Sequence, residues 1–330
     1  MMSNTPFTSR HATFEDVASI ASLLNNAAQR LYGKNRVGDD EVKTWFRTHE
    51  PVPQEDTQCW FDTNSRMVAY AQVYAPEYPP TWDAYQDATV LPEVETNRAL
   101  WHAVLDWCEA FSQRCRPRQS PDVRVYGARV HEQDASKRRE YLSRGYVYAC
   151  TETLMLRSLI DAAVATPAWP DGIHIRQIDF TTELEAYALA HGEAFADEWG
   201  EREMRAEELI RGRRGEIASW GDEFIPELWF AAYDGDQLVG SVGSFVNHGG
   251  KRECSYLYHV FVRPAWRKRG IAKALLLHSF SVLADRGCET VELHVESKNP
   301  TGALQLYESV GLKPVWQQNL CQKLLPATST

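Results

Sequence analysis

The feature that most limits what this chain can fold into is a repetition of its own motifs. Trp60-Phe61 returns as Trp229-Phe230 after 169 residues, Val90-x-Pro92 as Val262-x-Pro264 after 172, and Tyr141-Leu-Ser-Arg-Gly145 as Tyr307-Glu-Ser-Val-Gly311 after 166. A nearly constant offset with the elements in the same order implies two divergent copies of one unit, a pseudo-dimer rather than a solenoid. The 330 residues suffice for two domains of ordinary size, and 44% apolar residues suffice for two cores. The joint is expected in residues 161–172, where Pro167, Pro170 and Gly172 interrupt both periodicities. The expected division is therefore a first domain over 1–160, a linker over 161–172 and a second domain over 173–330.

The second copy carries the clearer pattern. A short strand over 173–178 precedes a charged helical region over 183–211. Strands over 228–233 and 237–246 flank an Asp234-Gly235-Asp236 hairpin turn. A β-branched and aromatic strand over 255–262 then runs through a basic loop into a helix. Ala272, Leu275, Leu276, Phe280 and Leu283 recur on one face of that helix, and Gly287 ends it. Val291, Leu293 and Val295 alternate along a strand over 290–296. Asn299-Pro300 opens a last helix with Ala303, Leu306, Tyr307 and Val310 on one face, and residues 312–325 read as a final pair of strands. Strands interleaved with helices and hairpins give an α/β fold, a mixed sheet flanked by helices, in each copy.

Composition excludes several classes. A formal net charge of -10 argues against nucleic acid as a partner and favours cationic small molecules or peptides. Arg10, Glu15 and Asp16 leave no apolar core near the start, and no run of 18 apolar residues occurs, so a cytoplasmic protein without a membrane partner is expected. Seven cysteines, without a Cys-x-x-Cys pair or a Cys/His cluster, indicate neither disulfides nor a metal.

The loop between strand 255–262 and its helix bears the chemistry. Gly270 and Ala272 stand where the helix begins, so unpaired backbone NH groups and the positive end of the helix dipole face the loop with little side chain in the way. Arg263, Arg267, Lys268, Arg269 and Lys273 add positive charge, which reads either as a solvated patch or as a phosphate site. Neither Gly-x-Gly-x-x-Gly nor Gly-x-x-x-x-Gly-Lys-Ser/Thr opens this helix, so the two commonest phosphate loops are absent.

Val262-x-Pro264, Arg267-x-x-Gly270-x-Ala272, Asn299 and Tyr307-x-x-x-Gly311 together resemble the GNAT superfamily of N-acetyltransferases. The two-domain layout is similar to that of the tandem GNAT proteins of the mycothiol synthase type. The resemblance implies two parallel strands, here 255–262 and 290–296, that splay to leave a slot for acetyl-CoA. Its pantetheine arm would bond Val260, Phe261 and Val262, its diphosphate would rest on Arg267, Lys268, Arg269, Gly270, Ile271 and Ala272, and Asn299 would contact CoA. Asn299 also reads as a helix N-cap. Tyr307 reads as a core tyrosine or, as the resemblance implies, as the general acid that protonates the departing thiolate. The implied reaction moves an acetyl group to a primary amine of a small molecule or peptide; an acyl-CoA sensor and a transferase of longer acyl groups are the alternatives.

The general base stays open. Where many of these enzymes place a carboxylate or histidine, this chain has Tyr256, with Tyr258 on the same face. Glu253, His259, Glu292, His294 and Glu296 lie close by in sequence. Glu193, Asp197, Glu198, Glu201, Glu203, Glu207 and Glu208 read as a solvated helix face or as an anionic lip for an amine. In the first copy Glu95 replaces Arg267, Arg98 replaces Gly270 and Gln133 replaces Asn299, so that domain is expected to be structural. A monomeric pseudo-dimer and a homodimer both fit.

Overall fold

The computed structural model describes residues 7–33, 35, 37–47, 52–74, 84–114, 123–161, 163–196, 204–247, 253–297 and 302–326. Two compact units emerge, Met1–Thr151 with Gln317–Thr330 and Glu152–Trp316. They differ from the stretches 1–160 and 173–330, because each unit takes its last strand from the other part of the chain.

The first unit comprises β1 (Thr8–Arg10), α1 (Val17–Tyr32), α2 (Asp39–Arg47), the single turn α3 (Pro53–Asp56), β2 (Thr57–Phe61), β3 (Met67–Tyr74), β4 (Ala84–Val90), α4 (Arg98–Arg114), β5 (Val123–His131) and α5 (Ala135–Ser143). Next in the chain come β6 (Val147–Ser158), β7 (Ile173–Gln177), α6 (Phe180–Phe195), α7 (Ala206–Ser219), β8 (Phe230–Asp234), β9 (Gln237–Val246) and β10 (Cys254–Val262). The remainder is α8 (Ile271–Asp285), β11 (Thr290–Glu296), α9 (Ala303–Ser309) and β12 (Lys313–Pro326).

The strand order in the first unit is β1-β2-β3-β4-β5-β12, and in the second it is β7-β8-β9-β10-β11-β6. These are the same order, antiparallel throughout except for β4 with β5 and β10 with β11. Gln318–Pro326 of β12 pair along β5, and Glu152–Ser158 of β6 pair along β11. Both units are thus mixed, mostly antiparallel sheets flanked by helices, as the alternation of elements predicts.

Three expectations need correction. Residues 313–326 form one strand and not a pair, and its residues 318–326 pair without a break along β5. Leu228 belongs to a short 3-10 turn, Pro226–Leu228, and the hairpin strand starts at Phe230. The last helix begins at Ala303 after a left-handed Gly302, later than a start at Asn299, which itself lies outside the described residues. The charged region over 183–211 becomes two helices, α6 and α7.

The core of the second unit explains how α8 is placed. Leu275, Leu276, Phe280 and Leu283 are fully buried against the sheet, each worth roughly 1.5–3 kcal/mol relative to exposure. Gly270 precedes the helix at φ 87° and Gly287 follows it at φ 84°, a conformation that costs glycine nothing and other residues about 1–2 kcal/mol. Along β11, Val291, Leu293 and Val295 face the core, which turns Glu292, His294 and Glu296 to the other side of the sheet. No described helix is long and apolar enough to cross a membrane.

Candidate active site

The site starts from a failure of strand pairing. Parallel β10 and β11 share register only at Cys254↔Thr290, Ser255↔Val291 and Tyr256↔Glu292, after which the two strands part. On the other side of β10 the ladder to β9 slips between Tyr258 and Phe261, where His259 takes the left-handed region at φ 48°. A bulge of this kind bends its strand and increases the local twist. The gap becomes a cavity of about 850 Å³, lined from Tyr256 to Val262 on one side and from Leu293 to Glu296 on the other.

A polar network holds the bulge. His259 Nδ1 lies 3.1 Å from the Tyr187 hydroxyl, and Arg213 Nη1 donates to His259 Nε2 at 2.9 Å. Arg213 Nη2 reaches His191 Nδ1 at 3.1 Å, and its guanidinium also pairs with Glu216. Burial first, and then the Arg213 charge, hold both histidines well below the ordinary imidazole range, so both rings are neutral acceptors for that guanidinium. The Tyr258 hydroxyl donates to Glu216 Oε1 at 3.0 Å, and burial pushes the Glu216 carboxyl up. Burial, with Glu216 next to it, also raises Tyr258 well above its usual value, so that hydroxyl keeps its proton. Strain at a non-glycine residue with positive φ persists only where surroundings over-determine it, and these bonds do so for His259.

At one end of the cavity the backbone turns into the N-terminus of α8. A Cβ built on Gly270 meets nothing within 4 Å, so the open space continues over the first turn of the helix. The NH groups of Ile271, Ala272 and Lys273 have no partner one turn back, which suits an anion. The cations around them are arranged otherwise than a simple patch. Arg263 pairs with Glu193 at 2.7 Å, and Arg269 lies 3.7 Å from Asp234. Arg267 donates to the carbonyl oxygens of Val262 (3.1 Å) and Ala194 (2.6 Å), tying the loop to the end of α6. Lys268 and Lys273 are exposed on the cavity wall.

Val260, Phe261, Val262, Arg267, Lys268, Gly270, Ile271, Ala272 and Tyr307 all line this cavity, as do His259, His294 and Glu296. Arg269, Glu253 and Glu292 are not among its lining residues. Asn299, Asp197, Glu198, Glu201 and Glu203 lie outside the described residues. Tyr307 is nearly buried on α9 and still reaches the cavity wall. Sequence reasoning missed Tyr187, His191, Arg213 and Glu216; the Arg213-x-x-Glu216 spacing was a signal, but one shared with any exposed helical ion pair.

Residues 184–312 match the model of the acetyltransferase (GNAT) family. A mycothiol acetyltransferase of Thermobispora bispora is 30% identical over 159 residues, covering 47% of this chain and 52% of that protein. The chain spans about half the length of the curated relatives it matches. A GCN5-related N-acetyltransferase from Sphaerobacter thermophilus superimposes with a TM-score of 0.81 at 23% identity, covering 98% of each chain. A tandem GNAT protein from the clavulanic acid biosynthesis pathway gives 0.70 at 13% identity over 98% of this chain and 100% of its own. These two share the fold, which extends over both units.

Proposed function

We propose that the second unit is an acetyl-CoA-dependent N-acetyltransferase acting on a primary amine of a small molecule or peptide. The observation that carries this reading is the continuity of the splayed β10–β11 gap with the open start of α8. Backbone groups of Val260, Phe261 and Val262 that β11 no longer pairs, apart from the Val262 carbonyl held by Arg267, suit an extended amide-bearing arm as a third strand, and Lys268, Gly270 and the NH groups of residues 271–273 suit its diphosphate. Arg267 then serves by shaping the loop. Asn299, outside the described residues, is assigned to CoA by resemblance alone. The likeness to mycothiol acetyltransferases supports acetyl as the group moved.

In the reaction the amine nitrogen attacks the thioester carbonyl, the carbon–sulfur bond breaks and thiolate leaves. Tyr307 stands in the same cavity wall, and its hydroxyl supplies the proton that the sulfur takes. The test is thiol release from acetyl-CoA in the presence of simple alkylamines, amino sugars and peptides with free N-termini. Release that depends on one of these amines, with the acetylated amine seen by mass spectrometry, is the expected result. Tight acetyl-CoA binding without release for any of them would contradict transfer and identify a sensor.

A further inference from the structure

Two tyrosines, Tyr256 and Tyr258, stand on one face of β10, and each is backed by a different proton acceptor. Tyr258 answers to Glu216, whose carboxylate is shared with Arg213 and is not part of the cavity wall. Tyr256 answers to His294, with the hydroxyl oxygen 3.2 Å from Nδ1. Tyr256 is the last residue of β10 in register with β11, and His294 lies two residues past its partner Glu292. The pair therefore spans the point where the strands begin to separate. Tyr256, His294 and Tyr307 all line the cavity. His294 is half-buried, with the Trp316 ring 5.5 Å away, centroid to centroid.

The geometry points to Tyr256 and His294 as the route by which the acceptor amine loses its protons, an inference that rests on the N-acetyltransferase reading. An alkyl ammonium with a pKa near ~10 cannot attack until it is deprotonated. The Tyr256 oxygen takes a proton from nitrogen while its own proton passes to His294 Nδ1, and the half-buried imidazolium returns it to solvent. The neutral amine forms the carbon–nitrogen bond, and the zwitterionic adduct sheds its second proton by the same route. The carbon–sulfur bond breaks, and sulfur takes one proton from Tyr307, which is replenished from solvent. Two protons leave nitrogen and one reaches sulfur, so one is released per turnover. Tyr256 is then a catalytic residue, and His294 is a positioning residue that acts through it.

The discriminating variant is His294→Asn, whose side chain offers an acceptor near the place of Nδ1 but cannot hold a proton. Assayed with the amine of the panel above that the wild-type protein acetylates best, kcat should fall about 10²-fold or more. The acetyl-CoA dissociation constant should stay within about twofold, because catalysis is lost and not binding. Tyr256→Phe should fall comparably, and the double variant should be no slower than the slower single one, as for two residues on one path. Imidazole added to His294→Ala should restore part of the rate. Near wild-type turnover in His294→Asn, additive losses in the double variant, or loss of acetyl-CoA binding would overturn the relay while leaving the transferase reading intact. A wild-type protein that acetylates no amine would sink both.

Discussion

Tyr307 shows how much one side chain can carry. It is 8% exposed on α9 and lines the cavity, so the ring that packs into the core also borders the proposed acetyl-CoA site. Tyr307→Phe keeps the ring and removes only the hydroxyl. The kcat should therefore drop about 10²–10⁴-fold with acetyl-CoA affinity nearly unchanged. Steady-state rates beside a binding titration check this, and a parallel loss of affinity and melting temperature would mark Tyr307 as a core residue only. The Tyr-x-x-x-Gly spacing made this residue legible in the sequence. Arg213 and Glu216 were not, because whether a helical ion pair is solvated or folded under a sheet depends on tertiary packing that local spacing does not encode. Arg267 was legible as a loop residue, but its charge serves the carbonyls of Val262 and Ala194.

At the level of elements, the sheet beneath the cavity depends on close approach at β9. A Cβ on Gly243 would meet the Trp229 ring at 2.3 Å, and that indole is fully buried among Trp220, Phe245 and Tyr258. Gly243→Ala should destabilise the second unit by about 1–3 kcal/mol, lowering its melting temperature by roughly 2–10 °C. Calorimetry or circular dichroism measures it, and an unchanged melting temperature would mean the indole has room to shift. The strands over 255–262 and 290–296 and the turn at Gly235 were readable because alternation, β-branching and Asp-Gly chemistry are local signals. The single strand β12 was not, since one long strand and two short ones show the same alternation, and its partner β5 lies far away in the chain.

In the whole molecule, the same topology occurs twice with different contents. In the first unit the parallel pairing of β4 and β5 also ends after three residues, at Gln86↔Ala128, so the splay is present there too. The nearly buried Lys137 donates to Asp87 at 2.7 Å beside it; by the repeat offsets Lys137 stands for Ala303 and Asp87 for His259. Tyr141, the counterpart of Tyr307, is fully buried, and its hydroxyl has no hydrogen-bond partner among the described residues. Arg98 stands at the Gly270 position, and Glu95, ion-paired with Arg30, stands for Arg267. Glu95 and Arg98 could be read from the sequence; the Lys137–Asp87 pair could not, because it needs two elements 50 residues apart to converge.

From this asymmetry we infer one acetyl-CoA per chain, held in the second unit. Isothermal titration of the full chain with acetyl-CoA, run beside Gly270→Glu, tests that claim most directly. The added side chain meets open space and brings negative charge to the helix start, while the left-handed backbone at φ 87° costs it about 1–2 kcal/mol, so it should abolish binding with only a modest loss of stability. The wild-type protein should saturate at one equivalent, and Gly270→Glu should show no site of similar affinity; two equivalents, or binding that survives the substitution, would contradict the account.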